Sequence, residues 1–276
     1  MTSVHICQIS DPHIAIPGSA ADERYNGAAG LRAAIAEIRA LPRQPDVLVI
    51  TGDLVCHGSV EEYRHLAALL SPLTVPVYLG AGNHDQRDNL RQVFASTHPF
   101  LGRSGPIRYR ARIAGAEIVM IDTLLPGHHH GRVDDDTLDW LHACLNEAET
   151  APLLLFLHHP PFISGLTSMD EMRLENADAL AEVLHGGRRR PLAICCGHLH
   201  RPAMASLAGI PVCAAPSSAF HLSGWLEQPG KLALSAEAGG FMLHRIGNNG
   251  ALCSHFLSVT EQKDPVFLQR DGKWQQ

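Results

Sequence analysis

Five short polar clusters interrupt this chain, and each comes directly after an apolar run of strand length. In chain order they are Asp11-Pro12-His13, Gly52-Asp53, Gly82-Asn83-His84-Asp85, His158-His159-Pro160-Pro161 and Gly197-His198-Leu199-His200. Ligands of open α/β sheets bind at the carboxyl ends of strands, so we expect these clusters to share one edge of the fold. Carboxylate, amide and imidazole groups gathered at one edge are typical of a metal site.

The first two hundred residues alternate predicted strands with predicted helices. The strands are predicted at residues 4–10, 46–51, 75–80, 117–122, 152–157 and 192–196. The helices are predicted at residues 27–41, 59–70, 134–146 and 174–185, and Ser59 with Glu62 three positions later forms a capping-box pattern. This alternation predicts parallel strands with helices packed on the sheet faces.

After His200 the pattern changes to short strands, predicted at residues 203–207, 210–214, 240–246 and 251–259. Asn248-Asn249-Gly250 is typical of the hairpin turn that joins the last two. We therefore expect an α/β fold, a four-layer αββα sandwich of two mixed sheets flanked by helices. Residues 1–260 would form one domain carrying the site, and residues 261–276 a C-terminal tail.

The composition limits the class of partner. Lys and Arg number 22 against 28 Asp and Glu, and the resulting net charge of −6 disfavours a nucleic acid polymer. A small anion is compatible with this charge, because bound metal ions reverse the local field. No apolar run approaches the roughly 18 residues that span a bilayer, so we expect no membrane segment.

The cysteines and the N-terminus indicate a reducing compartment. The seven cysteines form no regular framework, and adjacent Cys195 and Cys196 would point to opposite faces of a strand rather than bind one metal. Residues 1–6 lack the charged and apolar regions of a signal peptide. We expect a cytoplasmic protein with free thiols.

The clusters supply seven good metal ligands, enough for two ions that share one bridge. Asp53 follows Gly52 and is our choice for the bridging carboxylate, and Asn83 offers a neutral amide oxygen. The remaining ligands are Asp11, His13, His158, His198 and His200. Nitrogen and oxygen ligands without thiolate suit Zn, Mn, Fe or Co. Two such ions at close range are a device for attacking phosphorus.

The five clusters, in this order, resemble those of the calcineurin-like metallophosphoesterase family. More narrowly, the chain resembles the bacterial class III cyclic nucleotide phosphodiesterase and glycerophosphodiesterase branch, from residue 4 to about residue 255. The similarity includes Met169-Asp170, Glu175-Asn176 and Met242-Leu243-His244-Arg245.

This resemblance implies two ligand sets. The first ion would be held by Asp11, His13, Asp53 and His200, and the second by Asp53, Asn83, His158 and His198. His159 would stand behind the ligands. His84 would face the substrate beside Asn83, and His221 matches a pocket histidine of the glycerophosphodiesterase branch, although Ser217-Ser218 replace the expected Gly-Thr.

The implied activity is hydrolysis of a small phosphodiester, either a 3′,5′-cyclic nucleotide or a glycerophosphodiester. A metal-bound hydroxide would attack phosphorus in line, with Asp53 and His84 as the catalytic residues. The alternatives are a broad phosphomonoester or phosphonate-ester hydrolase using the same metals, and a non-catalytic metal-binding module. A nuclease is disfavoured by the acidic charge. The resemblance also implies a homo-oligomer, a dimer or higher.

Several other polar residues are expected to have structural roles. Asp85 is predicted either to cap the following helix or to support the ligands. We expect a solvated loop at His128-His129-His130, with contact to the substrate as the alternative, and a solvated turn at Arg188-Arg189-Arg190. The remaining assignments to packing or surface are His5, His57, His65 and His142.

Overall fold

A computed structural model describes residues 3–223, 232–235, 237–259, 269–270 and 273–274. The predicted tail at residues 261–276 lies outside the described residues, apart from the backbone of two short strands. Among the described residues, no helix combines the length and the apolar character needed to cross a membrane.

The described residues form fifteen strands and seven α-helices. The strands are β1 Val4–Ile9, β2 Val47–Thr51, β3 Val77–Gly80, β4 Tyr109–Ile113, β5 Ala116–Met120, β6 Leu153–Phe156, β7 Ala193–Cys196, β8 Ala203–Leu207, β9 Ile210–Ala214, β10 His221–Leu222, β11 Leu234–Ser235, β12 Gly240–Ile246, β13 Leu252–Ser258, β14 Gln269–Arg270 and β15 Lys273–Trp274. The helices are α1 Ala20–Tyr25, α2 Gly27–Ala40, α3 Val60–Leu70, α4 Arg87–Phe94, α5 Asp135–Asn146, α6 Thr167–Asp170 and α7 Ala177–Gly186.

Two large mixed sheets carry the fold. The first sheet has the order β13-β12-β1-β2-β3, and the second has the order β4-β5-β6-β7-β9-β8. In the first sheet β1, β2 and β3 are parallel, while β12 and β13 are antiparallel additions at one side. In the second sheet β5, β6, β7 and β9 are parallel, with an antiparallel strand at each edge.

The alternation of side chains along β6 shows how the layers stack. Leu154 and Phe156 belong to the core shared with the first sheet and its helices, whereas Leu153 and Leu155 pack with helices α5 and α7. Both faces of the strand are therefore buried, as expected for parallel strands covered on two sides. The predicted four-layer αββα sandwich is confirmed.

Local signals placed some helix boundaries correctly and missed others. The capping box is present, since Ser59 Oγ accepts from the Glu62 amide and Glu62 Oε2 accepts from the Ser59 amide. Helix α7 begins at Ala177 rather than at residue 174. Short elements such as α1, α4, α6 and the edge strand β4 were not predicted from the sequence.

The predicted solvated turn at residues 188–190 is wrong for its middle member. The Arg189 side chain is only 8% exposed, and its guanidinium lies 2.7 Å from Glu117 Oε2 on β5. Arg110 on β4 donates to the other oxygen of the same carboxylate at 2.6 Å. A buried carboxylate needs such partners, so Arg189 is part of the interior of the second sheet.

Candidate metal centre

The polar clusters meet at the carboxyl ends of the parallel strands, and their backbone is strained there. Eight non-glycine residues in the described part of the chain have positive φ angles, and five of these are predicted ligands. They are Asp11 at 50°, His13 at 44°, Asp53 at 47°, His198 at 69° and His200 at 56°. Left-handed backbone in such residues persists only where the surroundings enforce it, and it concentrates at functional sites.

The first predicted ligand set is assembled as expected. One donor atom from each of Asp11, His13, Asp53 and His200 lies within 4.8 Å of the others. His13 Nε2 is 3.1 Å from His200 Nε2, and His200 Nε2 is 3.4 Å from Asp11 Oδ1. All four residues are buried.

The second predicted set lies beside the first. His158 Nε2 is 3.2 Å from Asn83 Oδ1, 3.2 Å from His198 Nδ1 and 3.5 Å from Asp53 Oδ2. Asn83, His198 and Asp53, which follow three other strands, therefore each place an atom within 3.5 Å of His158 Nε2, and His159 joins His158 and His198 in a group of close histidines. The structure brings together all seven residues predicted as ligands.

One oxygen of Asp53 is common to both sets. Asp53 Oδ2 is 3.6 Å from His13 Nε2 in the first set and 3.5 Å from His158 Nε2 in the second. Its other oxygen accepts a hydrogen bond from the His84 amide at 2.8 Å, which fixes the carboxylate plane. One oxygen of Asp53 therefore faces both predicted donor sets, as the predicted bridging role requires.

Backbone carbonyls fix the tautomers of two imidazoles. His158 Nδ1 donates to the Thr51 carbonyl at 2.8 Å, and His200 Nδ1 donates to the Phe220 carbonyl at 3.2 Å. The Nε2 of His200 is then an acceptor directed into the centre, and the Nε2 of His158 becomes one when that ring is deprotonated, as metal binding requires. Hydrogen bonds of this kind are how proteins orient metal-binding histidines.

Some ligand atoms of the centre lack hydrogen-bond partners, as expected for atoms that bind cations. Asp11 Oδ1 is buried without a hydrogen-bond partner, and His13 Nε2 lies 3.1 Å from His200 Nε2, the ring nitrogen that carries no proton when Nδ1 donates to Phe220. Burial lowers the pKa of His13 to about 3 and that of His200 to about 4, so both rings are neutral at pH 7. Neutral imidazole is the form that binds a metal ion.

Charge is concentrated on the bridge. Burial alone would raise the pKa of Asp53, but His158 and His84 outweigh it and hold that pKa well below its usual range. Burial likewise opposes the charged form of His158, yet Asp53 dominates and raises the pKa of His158 to about 9. Asp53 is therefore an ionised carboxylate in the middle of the site.

His84 lies on the open side of the centre. Its Nδ1 donates to the Cys56 carbonyl at 2.8 Å, and its ring is 4.8 Å from that of His13 in an edge-on arrangement. Burial would lower the pKa of His84, but Asp53 outweighs it and raises that pKa. Because Nδ1 is bound to Cys56, Nε2 is the ring nitrogen left for the cavity above the ligands, which His84 lines.

Gly82 is required by the close approach of three chain segments. A Cβ at this position would lie 2.3 Å from Asp53 Oδ1 and 2.8 Å from His158 Cε1. Because no side chain fits there, the loop after β3 brings its backbone directly against the bridging carboxylate. Asn83 and His84 reach the centre through this contact.

A cavity of about 760 Å³ opens above the centre. Its floor includes His13, Asp53, Asn83 and His84. Its walls contain residues that the sequence analysis did not select as site residues, namely Arg24, Tyr25, Cys56, His57, His129, Met169, Met172, Phe220, Leu222, Leu232, Ala233 and Leu234. Tyr25 and Phe220 stack with ring centroids 4.8 Å apart. Apart from His129 and Met169, which belong to segments noted in the sequence, these residues are scattered along the chain and no local pattern marks them.

His159 and His129 lie next to the predicted ligands without belonging to either donor set. Both ring nitrogens of His159 are used, by Thr123 Oγ1 at 2.7 Å and by the His129 carbonyl at 3.1 Å, in keeping with its expected place behind the ligands. The His129 side chain is exposed and lines the cavity, so this loop overhangs the site.

His221 lies on β10, and it is absent from the residues that line the cavity in the described part of the chain. Its Nδ1 is 3.1 Å from Glu237 Oε2, and its buried Nε2 has no partner. Its role towards a substrate stays a prediction.

Asp85, which was predicted either to cap the following helix or to support the ligands, does not cap the helix. Helix α4 is capped by Gln86, whose side chain accepts from the amides of two following residues. Asp85 instead accepts from the Leu54 amide, the Gly82 amide and the Tyr63 hydroxyl. It ties the loops after β2 and β3 together beneath Asp53 and Asn83.

The fold and the candidate donor residues are those of a metallophosphoesterase, a family that uses a dinuclear metal centre. Residues 4–202 match the calcineurin-like phosphoesterase family, and the chain belongs to this family.

Three known proteins illustrate the similarity. A probable glycerophosphodiester phosphodiesterase from Arcobacter nitrofigilis is 29% identical over 270 residues, 97% of this chain and 98% of that protein. A probable cyclic nucleotide phosphodiesterase from Rhodopseudomonas palustris is 37% identical over 232 residues, 78% of this chain and 82% of that protein. A dimetal phosphatase from Danio rerio shares the fold, with a TM-score of 0.65 and 15% identity over 94% of this chain and 97% of that one.

Proposed function

We propose that this protein is a metal-dependent hydrolase of small phosphodiesters. The observation that carries the proposal is the position of Asp53 Oδ2, 3.6 Å from His13 Nε2 and 3.5 Å from His158 Nε2. One ionised oxygen shared by two sets of donors is suited to two cations rather than one. The relatives named as glycerophosphodiester and cyclic nucleotide phosphodiesterases support a diester substrate.

Asp11, His13, Asp53 and His200 would hold one ion, and Asp53, Asn83, His158 and His198 the other. The unpartnered Asp11 Oδ1 and the unprotonated Nε2 of His200 fit this occupancy. Two bound divalent ions would polarise the phosphoryl oxygens and lower the pKa of a water towards neutrality. Nitrogen and oxygen donors leave Mn, Fe, Zn and Co as the candidates.

The side chains of the protein would do the remaining work. His84, with its raised pKa and its Nε2 directed to the cavity, would donate a hydrogen bond to the phosphoryl group or to the departing alkoxide. Asn83 and His84 would contact the phosphate, and His221 would contact the organic group. The apolar wall around Phe220 and Met169 would exclude water from that group.

The charge of the cavity favours a diester over a monoester. A diester carries one negative charge and a monoester carries two. Arg24 is the one arginine among the described residues that line the cavity, and its side chain is exposed. The 3′,5′-cyclic nucleotides and the glycerophosphodiesters are therefore the two substrate classes we propose.

A turnover assay tests this proposal. Chelator-treated protein is assayed with bis-(para-nitrophenyl) phosphate before and after addition of Mn²⁺ or Zn²⁺, with Asp53→Asn as the inactive reference. We expect hydrolysis that needs the metal and needs Asp53. Absence of metal-dependent turnover would overturn the proposal and leave a metal-binding module.

A kinetic panel identifies the substrate class. Cyclic AMP, glycerophosphoethanolamine and para-nitrophenyl phosphate are compared by kcat/KM in the same metal. We expect one of the two diesters to exceed the monoester. A faster monoester would favour the phosphomonoesterase alternative, and cleavage of single-stranded DNA would contradict the expected small substrate.

A further inference from the structure

Gln8 is a polar residue within the apolar strand β1, and its side chain is fully buried between the two sheets. Its Nε2 donates to the Cys196 carbonyl at 2.9 Å and to Thr51 Oγ1 at 3.0 Å. Its Oε1 lies 3.0 Å from His244 Nε2. One carboxamide therefore joins β1 to β2, β7 and β12, which come from both sheets.

These contacts fix the direction of each hydrogen bond. The Cys196 carbonyl can only accept, so the amide nitrogen of Gln8 faces it and the amide oxygen faces His244. His244 Nε2 must then carry the proton, and His244 Nδ1 accepts from Ser254 Oγ at 2.7 Å. Thr51 Oγ1 accepts from Gln8 and donates onward to Ser10 Oγ at 2.9 Å. We call Ser254, His244, Gln8, Thr51 and Ser10 the inter-sheet chain.

Each strand end that the inter-sheet chain joins leads into candidate ligands. Ser10 is followed by Asp11, Thr51 by Gly52 and Asp53, and Cys196 by Gly197 and His198. The Thr51 carbonyl also accepts from His158 Nδ1, so β6 is connected to the same point.

The residues that follow β1 and β7 are packed too closely for Ser10, the last member of the inter-sheet chain, to move. A Cβ on Gly197 would lie 1.9 Å from Ser10 Oγ and 2.8 Å from Asp11 Oδ2. Asp11 Oδ2 in turn accepts from the His198 amide at 3.0 Å. A shift of Ser10 would therefore move ligands of both donor sets.

We propose that the inter-sheet chain is a positioning network that sets the distances between the metal ligands of the two sheets. This inference rests on the proposed function, because the ligands it positions are those of the two proposed ions. Gln8, His244, Thr51, Ser10 and Ser254 act through the ligands and do not themselves touch the substrate.

A buried series of polar side chains such as this one destabilises the fold unless every member has a hydrogen-bond partner. Burying an amide or a hydroxyl without a partner is unfavourable, and partly satisfied networks are worse than an apolar core. Each member of the inter-sheet chain has a partner, and hydrogen bonds define distances that apolar contacts leave adjustable. Burial lowers the pKa of His244 to about 4, so the ring keeps its neutral, singly protonated form at pH 7.

Calorimetric titration of chelator-treated protein with Mn²⁺ tests the proposal through metal affinity. Thr51→Val keeps the volume and removes the hydroxyl, and Gln8→Leu removes the amide. Partners that orient metal ligands typically contribute about 10- to 100-fold to affinity, and we expect a loss of that size in both variants. Thr51→Ser and His244→Gln keep a hydroxyl and an N–H donor at these positions and should bind Mn²⁺ with close to wild-type affinity.

Ile6→Ala is the matched control for a purely structural effect. Ile6 is buried on β1, pairs with His244 in the strand register, and takes no part in the inter-sheet chain. We expect this variant to lower the melting temperature while the Kd for Mn²⁺ stays within about twofold of wild type, because Ile6 makes none of the side-chain hydrogen bonds of the inter-sheet chain. Equal loss of affinity in Ile6→Ala and Thr51→Val at matched melting temperature would overturn the proposal.

A readout without metal separates this inference from the proposed function. Long-range ¹⁵N–¹H spectra of chelator-treated protein should show His244 protonated at Nε2 and bare at Nδ1. A proton on Nδ1 would overturn the inter-sheet chain itself. Wild-type protein that has this tautomer but binds no Mn²⁺, Zn²⁺, Fe²⁺ or Co²⁺ would instead refute the proposed function, and the positioning role with it.

Discussion

The two sheets contribute different chemistry to the centre. The first sheet supplies every oxygen donor, from Asp11, Asp53 and Asn83, together with the His13 imidazole. The second sheet supplies imidazoles alone, from His158, His198 and His200. Each proposed ion would take ligands from both sheets, so neither sheet could form either set by itself.

The difference has an electrostatic consequence. The first sheet brings two carboxylates into a buried site, where charge is costly without a partner. The second sheet brings His158, whose pKa rises to about 9 beside Asp53. The oxygen-rich side thus depends on the nitrogen-rich side for its stability as well as for its ligands, and the packing of the sheets decides both.

The largest effect should come from the residue that belongs to both sets. Asp53→Asn keeps the shape of the side chain and removes the shared charge. We expect turnover of the chromogenic diester to fall about 10³-fold or more, which corresponds to about 4 kcal/mol in the transition state. Elemental analysis should show fewer than two ions per chain.

Asp46→Asn is the control for this substitution, because Asp46 lies at the opposite end of the same strand, where its Oδ2 accepts from the His5 amide. It should leave turnover close to wild type. Two tightly bound ions in Asp53→Asn would contradict the bridging assignment.

The next largest effect concerns a first-sheet residue that is outside both donor sets. His84→Ala should lower kcat by about 10²- to 10⁴-fold, the usual range for a positioned proton donor, and leave both ions in place. Comparison of kcat with metal content in the same preparation checks this. Complete loss of metal from His84→Ala would show that its role had been assigned wrongly.

Asn83→Ala should separate the two donor sets. Asn83 contributes its oxygen to the second set only, 3.2 Å from His158 Nε2. We expect about tenfold or greater weakening of one ion with the other retained, since a neutral amide is a modest ligand. Equal retention of two ions, measured by elemental analysis after dialysis, would speak against the assignment.

The sequence alone could predict the part of the site that is written locally. Strands β2, β6 and β7 are buried along their whole length, so their ends are visible as the points where apolar runs meet polar residues. The division into two ligand sets came from the family resemblance. The structure adds the distances that make Asp53 the common member.

The parts that could not be predicted depend on contacts between distant segments. Gln8 is one polar residue in an apolar run, and only its approach to the Cys196 carbonyl, 188 positions away, gives it a partner. Arg189 was expected in solvent because three adjacent arginines usually are, and Glu117 on another strand reverses that. The left-handed backbone of the ligands could not be predicted, because Asp and His are enriched there but most residues of both types adopt other conformations.

The smallest expected effect is on the pH dependence of the free energy of unfolding. His244 on β12 is the imidazole that the first sheet buries away from the ligands, and its pKa is lowered from 6.5 to about 4 by burial. Above pH 6.5 both folded and unfolded forms are neutral. Below pH 6.5, His244 is protonated in the unfolded chain but stays neutral in the folded protein. The free energy of unfolding therefore decreases as the pH falls from 6.5 towards 4. At pH 5.5 this amounts to roughly 1–2 kcal/mol.

His244→Gln removes this titration and keeps a donor towards Gln8. The difference in unfolding free energy between wild type and His244→Gln, measured by urea denaturation, should therefore be constant above pH 7 and shift in favour of the variant below pH 6.5. A difference that stays constant down to pH 4.5 would mean that the acid sensitivity comes from the other buried imidazoles, those of the metal centre on both sheets, and that His244 contributes none.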